Sequence, residues 1–491
     1  MITNERFKKF TILHSNDMHG DFLAEATGIV EGHVIGGMSL LSGYINKVRQ
    51  EEKNVLFVIS GDMLQGSMID TEYKGISTIE IMNYLAPDVV TLGNHELDYG
   101  LPHLLFLEKM ANFPIVNANL YIKKYNRRLM NPYLILNVDG FDIMFIGIVT
   151  EEALRTLKRD SSIGTFVSLE DAALEVGKIC NAYKNDDIDL TIILTHIGFE
   201  EDKKLAAMLN PEWGVDMIIG GHSHTFLEQP AQVNNILIAQ AGVGTDQIGR
   251  FDIVVDDDTN SIVEWKWQLL PVDNNLAQPD PNIEKLIATF KEEVDRKYNR
   301  LVGRLARKLT HPKREQETEL GNLIADILAQ QDDMLDVIFV ASGAIRGSEL
   351  GPLVTLSDLK KVYPYDDILH KFTVSGVHLV KIFAHIMRPE NRISGVSEYF
   401  QLNQGIKAVY NDALHRVESL TINGESIQEE HQYTICMDGY RYQNSERNLG
   451  ITHEELGISK VITTSCQDVL EEFFGHHQNI NSQIEGRLLY K

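Results

Sequence analysis

At 491 residues the chain is too long for one ordinary core, and its 43% hydrophobic and 23% charged content is that of a soluble globular protein, not a fibrous or disordered one. No apolar run approaches the roughly 20 residues that a membrane-spanning helix needs, and the formal net charge of −25 repels nucleic acid and anionic membranes, so neither is an expected partner. Cys180, Cys436 and Cys466 are odd in number, far apart and outside any CxxC spacing, which argues against a disulfide framework and for a reducing, cytoplasmic location.

The N-terminal "MITNERFKKFTILHSND" lacks the about 7–15 apolar residues of a secretory segment. From there "FTILHS", "NVLFVIS", "DVVTL", "FPIVNANL", "YLILNV", "DIMFIGIV", "LTIILTHI", "VDMIIGG", "ILIAQA" and "RFDIVV" follow one another as short strands. Segments with a helical period, such as "GMSLLSGYINKVRQEE" and "SLEDAALEVGKICNAYKN", separate some of them. Apolar runs of this length with helices between them predict an α/β sandwich whose strands are buried on both faces. "VVDDDTNSIVEW" reads as a hairpin with a solvated acidic turn. "PVDNNLAQPDPN" has boundary composition, and "IEKLIATFKEEVDRKYNRLV" reads as a connecting helix. The expected division is 1–275, a linker and helix over 276–300, and a second α/β (α+β) domain over 301–491.

Five predicted strands end in side chains that bind metals. "TILHSNDMHG" delivers Asp17 and His19, and "VLFVISGDMLQG" delivers Asp62. "VVTLGNHELDYG" delivers Asn94 and His95, "TIILTHIGF" His196, and "MIIGGHSHT" His222 and His224. A lone histidine at a strand end is ordinarily a hydrogen-bonded structural residue. Five such ends together are not explained that way, because polar groups are costly to bury unless something pairs with them. The carboxyl ends of strands in open α/β sheets converge on one crevice. Asp17 and His19, like His222 and His224, lie two apart, so in an extended segment each pair points one way. Carboxylate, imidazole and amide ligands suit Mn, Zn or Fe, and the seven apart from His95 (Asp17, His19, Asp62, Asn94, His196, His222 and His224) are too many for one tetrahedral ion. Two divalent ions about 3.5–4 Å apart would use them all, with Asp62 as the bridge. If "NHELDYG" opens a helix, His95 and Asp98 share a face and hydrogen-bond. The carboxylate then fixes the imidazole tautomer and favours its charged form. Glu96 is expected to be structural.

"NDMHG", "GD", "GNHE", "TH" and "GGHSH", in this order, resemble the dinuclear metallophosphoesterase (calcineurin-like) family. The similarity is to its 5′-nucleotidase, UDP-sugar hydrolase and 2′,3′-cyclic-nucleotide phosphodiesterase branch. The resemblance implies a four-layer αββα sandwich with Asp17, His19, Asp62 and His224 around one metal. Asp62, Asn94, His196 and His222 would surround the other, with His95 and Asp98 as the catalytic dyad. Some members carry Gln where this chain has His224. Water activated by the two ions attacks phosphorus in line, and His95 stabilises the developing charge or protonates the leaving oxygen.

"HPKREQETELGNLIADILAQ" resembles the start of the 5′-nucleotidase C-terminal domain, and "VASGAIRGSELGPLVTLSDLKKVYPYDD" its N-x-G-x-I-R segment and the P-aromatic turn after it. The resemblance implies that Arg314 and Arg346 grip the substrate phosphate, where bidentate guanidinium contacts suit the oxygens. It also implies that Tyr365 and Tyr440 clamp a base. Two features depart from the family. Ala341 or Ser342 stands where its Asn precedes G-x-I-R, and "YRYQNSERN" replaces its G-G-D-G. The expected reaction is hydrolysis of nucleoside 5′-monophosphates to nucleoside and phosphate. The alternatives are a 2′,3′-cyclic nucleotide, a nucleotide sugar or a non-nucleotide ester as substrate, and, from a different class, a non-catalytic binding module. The expected partner is a small-molecule phosphoester.

Overall fold

The computed structural model describes residues 6–27, 32–122, 125, 127–150, 165–166, 168–393 and 398–491. The chain divides into two compact units, Met1–Val294 and Asp295–Lys491. In the first, two six-stranded sheets lie face to face. One runs in the order Ser261–Pro271, Gln247–Asp256, Phe7–Ser15, Val55–Ser60, Val89–Thr91 and Ile115–Val116. The last four of these are parallel. The other runs Ala231–Val233, Ile236–Ala239, Met217–Ile219, Leu190–His196, Phe141–Val149 and Tyr133–Val138, with its central four parallel.

Strands covered on both faces must be apolar almost throughout, and all seven residues of Leu190–His196 are buried. Phe10, Val58, Phe145, Ile192 and Phe251 fill the space between the sheets, each such side chain contributing about 1.5–3 kcal/mol. On the outer face of the second sheet, Met144, Ile193 and Ile218 pack with Val176, Ile179 and Leu205 from helices Leu169–Ala182 and Phe199–Met208. Helix Met38–Glu51 buries Leu41, Tyr44, Ile45 and Val48 beside strand Val55–Ser60. The layers are therefore αββα. The parallel strands bring residues 16–17, 61–62, 93–94, 196 and 220–222 to their carboxyl ends.

The second unit holds a five-stranded sheet in the order Phe400–Leu402, Val337–Ala341, Gln432–Asp438, Leu369–Ser375 and Lys460–Thr463. Helix Glu319–Ala329 begins at Thr318, whose hydroxyl accepts from Gly321 N at 3.0 Å. Asp358, which has no function legible in the sequence, closes a capping box with Thr355 on helix Leu356–Val362. No helix among the described residues is long and apolar enough to cross a membrane.

Candidate metal centre and substrate cavity

Asp17, Asp62 and His196 are at most 2% exposed and lie where the parallel strands end. Asn16 donates to Asp17 Oδ2 at 2.7 Å and to Gly242 O at 2.7 Å, and its own Oδ1 accepts from Ala241 N. His222 N donates to both Asp17 oxygens, at 3.1 and 2.9 Å. His196 Nδ1 donates to Ser60 O at 2.8 Å. That bond fixes the tautomer and aims Nε2 at Asp62 Oδ2, 3.1 Å away. Asn94 Oδ1 lies 2.9 Å from His222 Nδ1.

The side chains gather in three overlapping groups, Asp17–His19–His224, Asp62–His196–His222 and His19–Asp62–His95, each with its donor atoms within 4.8 Å of one another. Asp17 and His19 do reach one group, whereas His222 and His224 do not. Asp17, His19, His222 and His224 all adopt left-handed backbone, with φ of 51°, 50°, 80° and 52°, and His222 and His224 enter different groups. Tight turns, and not pleat alternation, aim these ligands.

The donor set fits divalent cations. His196 Nε2 is buried without a well-formed hydrogen bond, and His19 and His224 turn their Nε2 atoms toward each other at 3.2 Å. Burial pushes the Asp62 carboxyl up, but His196, together with His95, more than offsets this and holds it below the ordinary carboxylate range. Burial likewise opposes charge on His196, yet Asp62 and Asp17 raise it. Both shifts record a crevice in which anionic oxygens need positive charge beside them.

His95 opens a short helical turn, His95–Leu97, and its Nδ1 lies 2.6 Å from Asp98 Oδ2. That hydrogen bond raises the imidazole to about 9, against the effect of burial. Its backbone N–H donates to Asp62 Oδ1 at 2.9 Å. Glu96 has a larger structural part than its sequence suggests. Its carboxylate accepts from the N–H groups of Asp62 (3.0 Å), Met63 (2.7 Å), Leu64 (3.3 Å) and Gly93 (2.6 Å), clasping two ligand loops. Burial and the neighbouring Asp62 lift it to about 7, although the N–H bonds oppose this. Gly93 is obligatory for space, since a Cβ there would stand 2.2 Å from Asp62 Oδ1.

In the second unit, Arg314, Arg346 and Tyr440 line a cavity of about 870 Å³. His311 and Gln401 steady its rim, His311 Nδ1 lying 2.8 Å from Thr318 Oγ1 and Gln401 Nε2 donating to Gln316 O at 2.8 Å. Arg346 donates through Nε and Nη2 to the Tyr365 hydroxyl at 3.0 and 2.6 Å. Tyr365 is thus a partner of Arg346 and is not among the residues lining the cavity, whereas Tyr440 lines it and is 55% exposed. Ala341 and Ser342 are wholly buried behind it. Lys313, Arg388 and Arg447 also line the cavity, and no motif singles them out.

Residues 10–226 match the family described as calcineurin-like phosphoesterase, and residues 297–449 match the 5′-nucleotidase C-terminal domain. Snake venom 5′-nucleotidase of Naja atra is 29% identical over 444 residues, covering 82% of each chain. Endonuclease YhcR of Bacillus subtilis (strain 168) is 27% identical over 462 residues, covering 87% of this chain. The chain spans only 36% of that relative's length. The crystal structure of a 5′-nucleotidase precursor from Thermus thermophilus shares the fold at a TM-score of 0.62, 21% identity, and coverage of 98% of this chain and 99% of that one.

Proposed function

Given that the chain belongs to the family joining a calcineurin-like phosphoesterase domain to a 5′-nucleotidase C-terminal domain, and is a metal-dependent phosphoester hydrolase, we propose that it converts nucleoside 5′-monophosphates to nucleoside and phosphate. The observation that carries this reading is the convergence of Asp17, Asp62, His196 and His222 at four parallel strand ends, with their donor atoms turned inward. Asp17, His19, Asp62 and His224 would hold one divalent ion, and Asp62, Asn94, His196 and His222 the second. Bound there, the ions supply Lewis-acid stabilisation of phosphoryl charge and acidify water.

The protein's own groups do the rest. Glu96 fixes the Asp62 and Gly93 backbone, so the Asp62 carboxylate is positioned before substrate arrives. Asp98 holds the proton on His95 Nδ1, leaving Nε2 as the atom that donates to the leaving oxygen or to a phosphoryl oxygen. Arg314 and Arg346 bind the phosphate, and Tyr440 offers a ring face to the base. For Arg346 this means exchanging the Tyr365 hydroxyl for phosphate oxygens, so Tyr365 orients the guanidinium. We further propose that residues 276–300 connect a catalytic region, 1–275, to a substrate-binding region, 301–491. The three buried, unpaired cysteines support a reducing, cytoplasmic setting.

The test is phosphate release by metal-reconstituted protein from AMP, other 5′-monophosphates, 2′,3′-cyclic nucleotides, UDP-glucose and p-nitrophenyl phosphate, with and without chelator. Fast release from a 5′-monophosphate, abolished by chelator and by His95→Ala, is expected. Preferred release from a cyclic nucleotide or from UDP-glucose would replace the substrate while keeping the chemistry.

A further inference from the structure

The second-unit cavity carries more positive charge than one phosphate uses. In a chain with 45 basic and 70 acidic residues, Lys313, Arg314, Arg346, Arg388 and Arg447 all line one concavity. None of the five has a carboxylate within ion-pairing distance among the described residues. Two acids share the wall. Of these, Glu398 is already taken by Arg441 at 2.9 Å and by Gly343 N at 2.9 Å, leaving Glu315 as the local counter-charge. Crowding like charges costs free energy that an anionic ligand recovers. A phosphate group brings about −1.5 to −2 charges, so with Glu315 offsetting one of the five cations, one phosphate still leaves about two of them unmatched.

Arg388 and Arg447 are also built into a pair. His385 Nε2 lies 3.0 Å from Arg388 Nη2 and 3.0 Å from the Arg447 carbonyl oxygen. Arg388 Nε donates to His385 O at 2.9 Å. Gly450 lets the segment after Arg447 close on the same ring, because a Cβ there would sit 2.4 Å from His385 Nδ1. Nε2 can donate to the Arg447 carbonyl or accept from Arg388 Nη2 but not both. With its proton on Nε2, His385 holds the Arg447 backbone through the ring and Arg388 through its own carbonyl, and the Arg447 side chain itself is left without a hydrogen-bond partner among the described residues. Guanidinium forks suit the several oxygens of a phosphate better than a single carboxylate does.

We propose that the substrate carries a second phosphate at its non-reacting end, held by Arg388 and Arg447 with Lys313, while Arg314 and Arg346 hold the phosphate that is cleaved. This deepens the nucleotidase reading and rests on it. It names the substrate class as a nucleoside bearing two separate phosphates, and it makes Arg388 and Arg447 specificity-determining residues. It also accounts for a cavity in which the position before G-x-I-R is the buried Ala341 or Ser342, so that side chain offers the ligand nothing and charge takes over.

The test compares kcat and KM for adenosine 2′,5′-bisphosphate, adenosine 3′,5′-bisphosphate, ADP and AMP, with p-nitrophenyl phosphate run beside them. At least one bisphosphate is expected to exceed AMP in kcat/KM by about tenfold or more, chiefly through KM. That preference is expected to fall to within about twofold of unity in Arg447→Met and to survive in part in Arg447→Lys. Arg388→Met is the second variant, needed because Arg388 also braces His385. No phosphate release from any of the five esters would defeat the hydrolase reading itself. Release from AMP or p-nitrophenyl phosphate with no bisphosphate preference, or a preference that both methionine variants retain, would overturn this inference alone. A preference for ADP over both bisphosphates would overturn the placement of the second phosphate at the non-reacting end.

Discussion

In the first unit Asp17, Asp62 and His196 have almost no exposed surface and are tied to backbone or side-chain partners from other strands. In the second, Arg314, Arg346 and Arg447 end exposed at a cavity rim, and Arg346 leans on a tyrosine hydroxyl that a ligand can displace. Strand ends locked on both faces hold atoms to fractions of an ångström, which chemistry at phosphorus requires. The cavity wall that carries Tyr440 and Arg447 is made of two five-residue helices, Gly439–Gln443 and Ser445–Leu449, and not of long strand ends. On the proposed assignment, reaction type and substrate choice are written in different kinds of structure, and substitutions in the two units should fail in different ways.

The largest effect is expected at Asp62. Asp62→Asn should lower kcat by more than about 10³-fold on every ester, and should release metal, exceeding the 10–100-fold typical of losing an outer-shell partner. Phosphate release and metal content measured on one sample check both. Next comes Gly93→Ala, whose Cβ would press on Asp62 Oδ1 from 2.2 Å and on the Asp62 backbone N from 2.5 Å. A displacement on the ångström scale should cost about 10²-fold in kcat, with a lowered unfolding temperature but a protein still folded at 25 °C. An unfolded Gly93→Ala protein would mean that the glycine serves the fold and not the ligand geometry. Arg346→Ala should act differently. The loss of a charge-assisted hydrogen bond, about 1.5–3 kcal/mol, predicts a 10–100-fold rise in KM with kcat far less affected. An equal loss in kcat would erase the distinction between the two units.

How much of this is legible in the sequence follows from the range of the interactions. Buried parallel strands must be apolar, and their carboxyl ends must meet, so Asp17, Asp62, Asn94, His196 and His222 can be collected from the sequence alone. The pleat rule mis-explains how Asp17 and His19 meet and wrongly brings His222 and His224 to one place, since left-handed φ at Asp17, His19, Asp62, His222 and His224 is invisible to strand periodicity. His95 and Asp98 are legible because their contact spans three residues. The structural role of Glu96 is expected, but its partners are not, because they are backbone N–H groups more than 30 residues away. Arg388 and Arg447 have no motif to announce them, their common anchor being a histidine 62 residues before Arg447. The family resemblance implies a base clamp at Tyr365, yet the hydroxyl of that residue is engaged with Arg346.

The smallest effect concerns stability and separates the crevice from the fold that carries it. His14 lies three residues before Asp17, wholly buried, with neither ring nitrogen hydrogen-bonded. Its ring stacks on Trp267 at 5.3 Å and Phe251 at 6.3 Å. Burial pushes the imidazole down to about 3, whereas the unfolded chain protonates it near 6.5. The depressed value means that the unfolded state binds the proton first. Stability is therefore fully present above pH 6.5 and falls as pH drops from there toward 3. At pH 5 this amounts to about 2 kcal/mol relative to pH 7.5. His14→Phe, which keeps an aromatic ring against Trp267, should remove that portion of the acid sensitivity. Urea unfolding at pH 7.5 and 5, followed by tryptophan fluorescence, reports on the first unit specifically, because Trp213, Trp265 and Trp267 all lie within it. The same pH-dependent loss in wild type and His14→Phe would place the acid sensitivity on other groups, the crowded carboxylates and imidazoles of the crevice first among them.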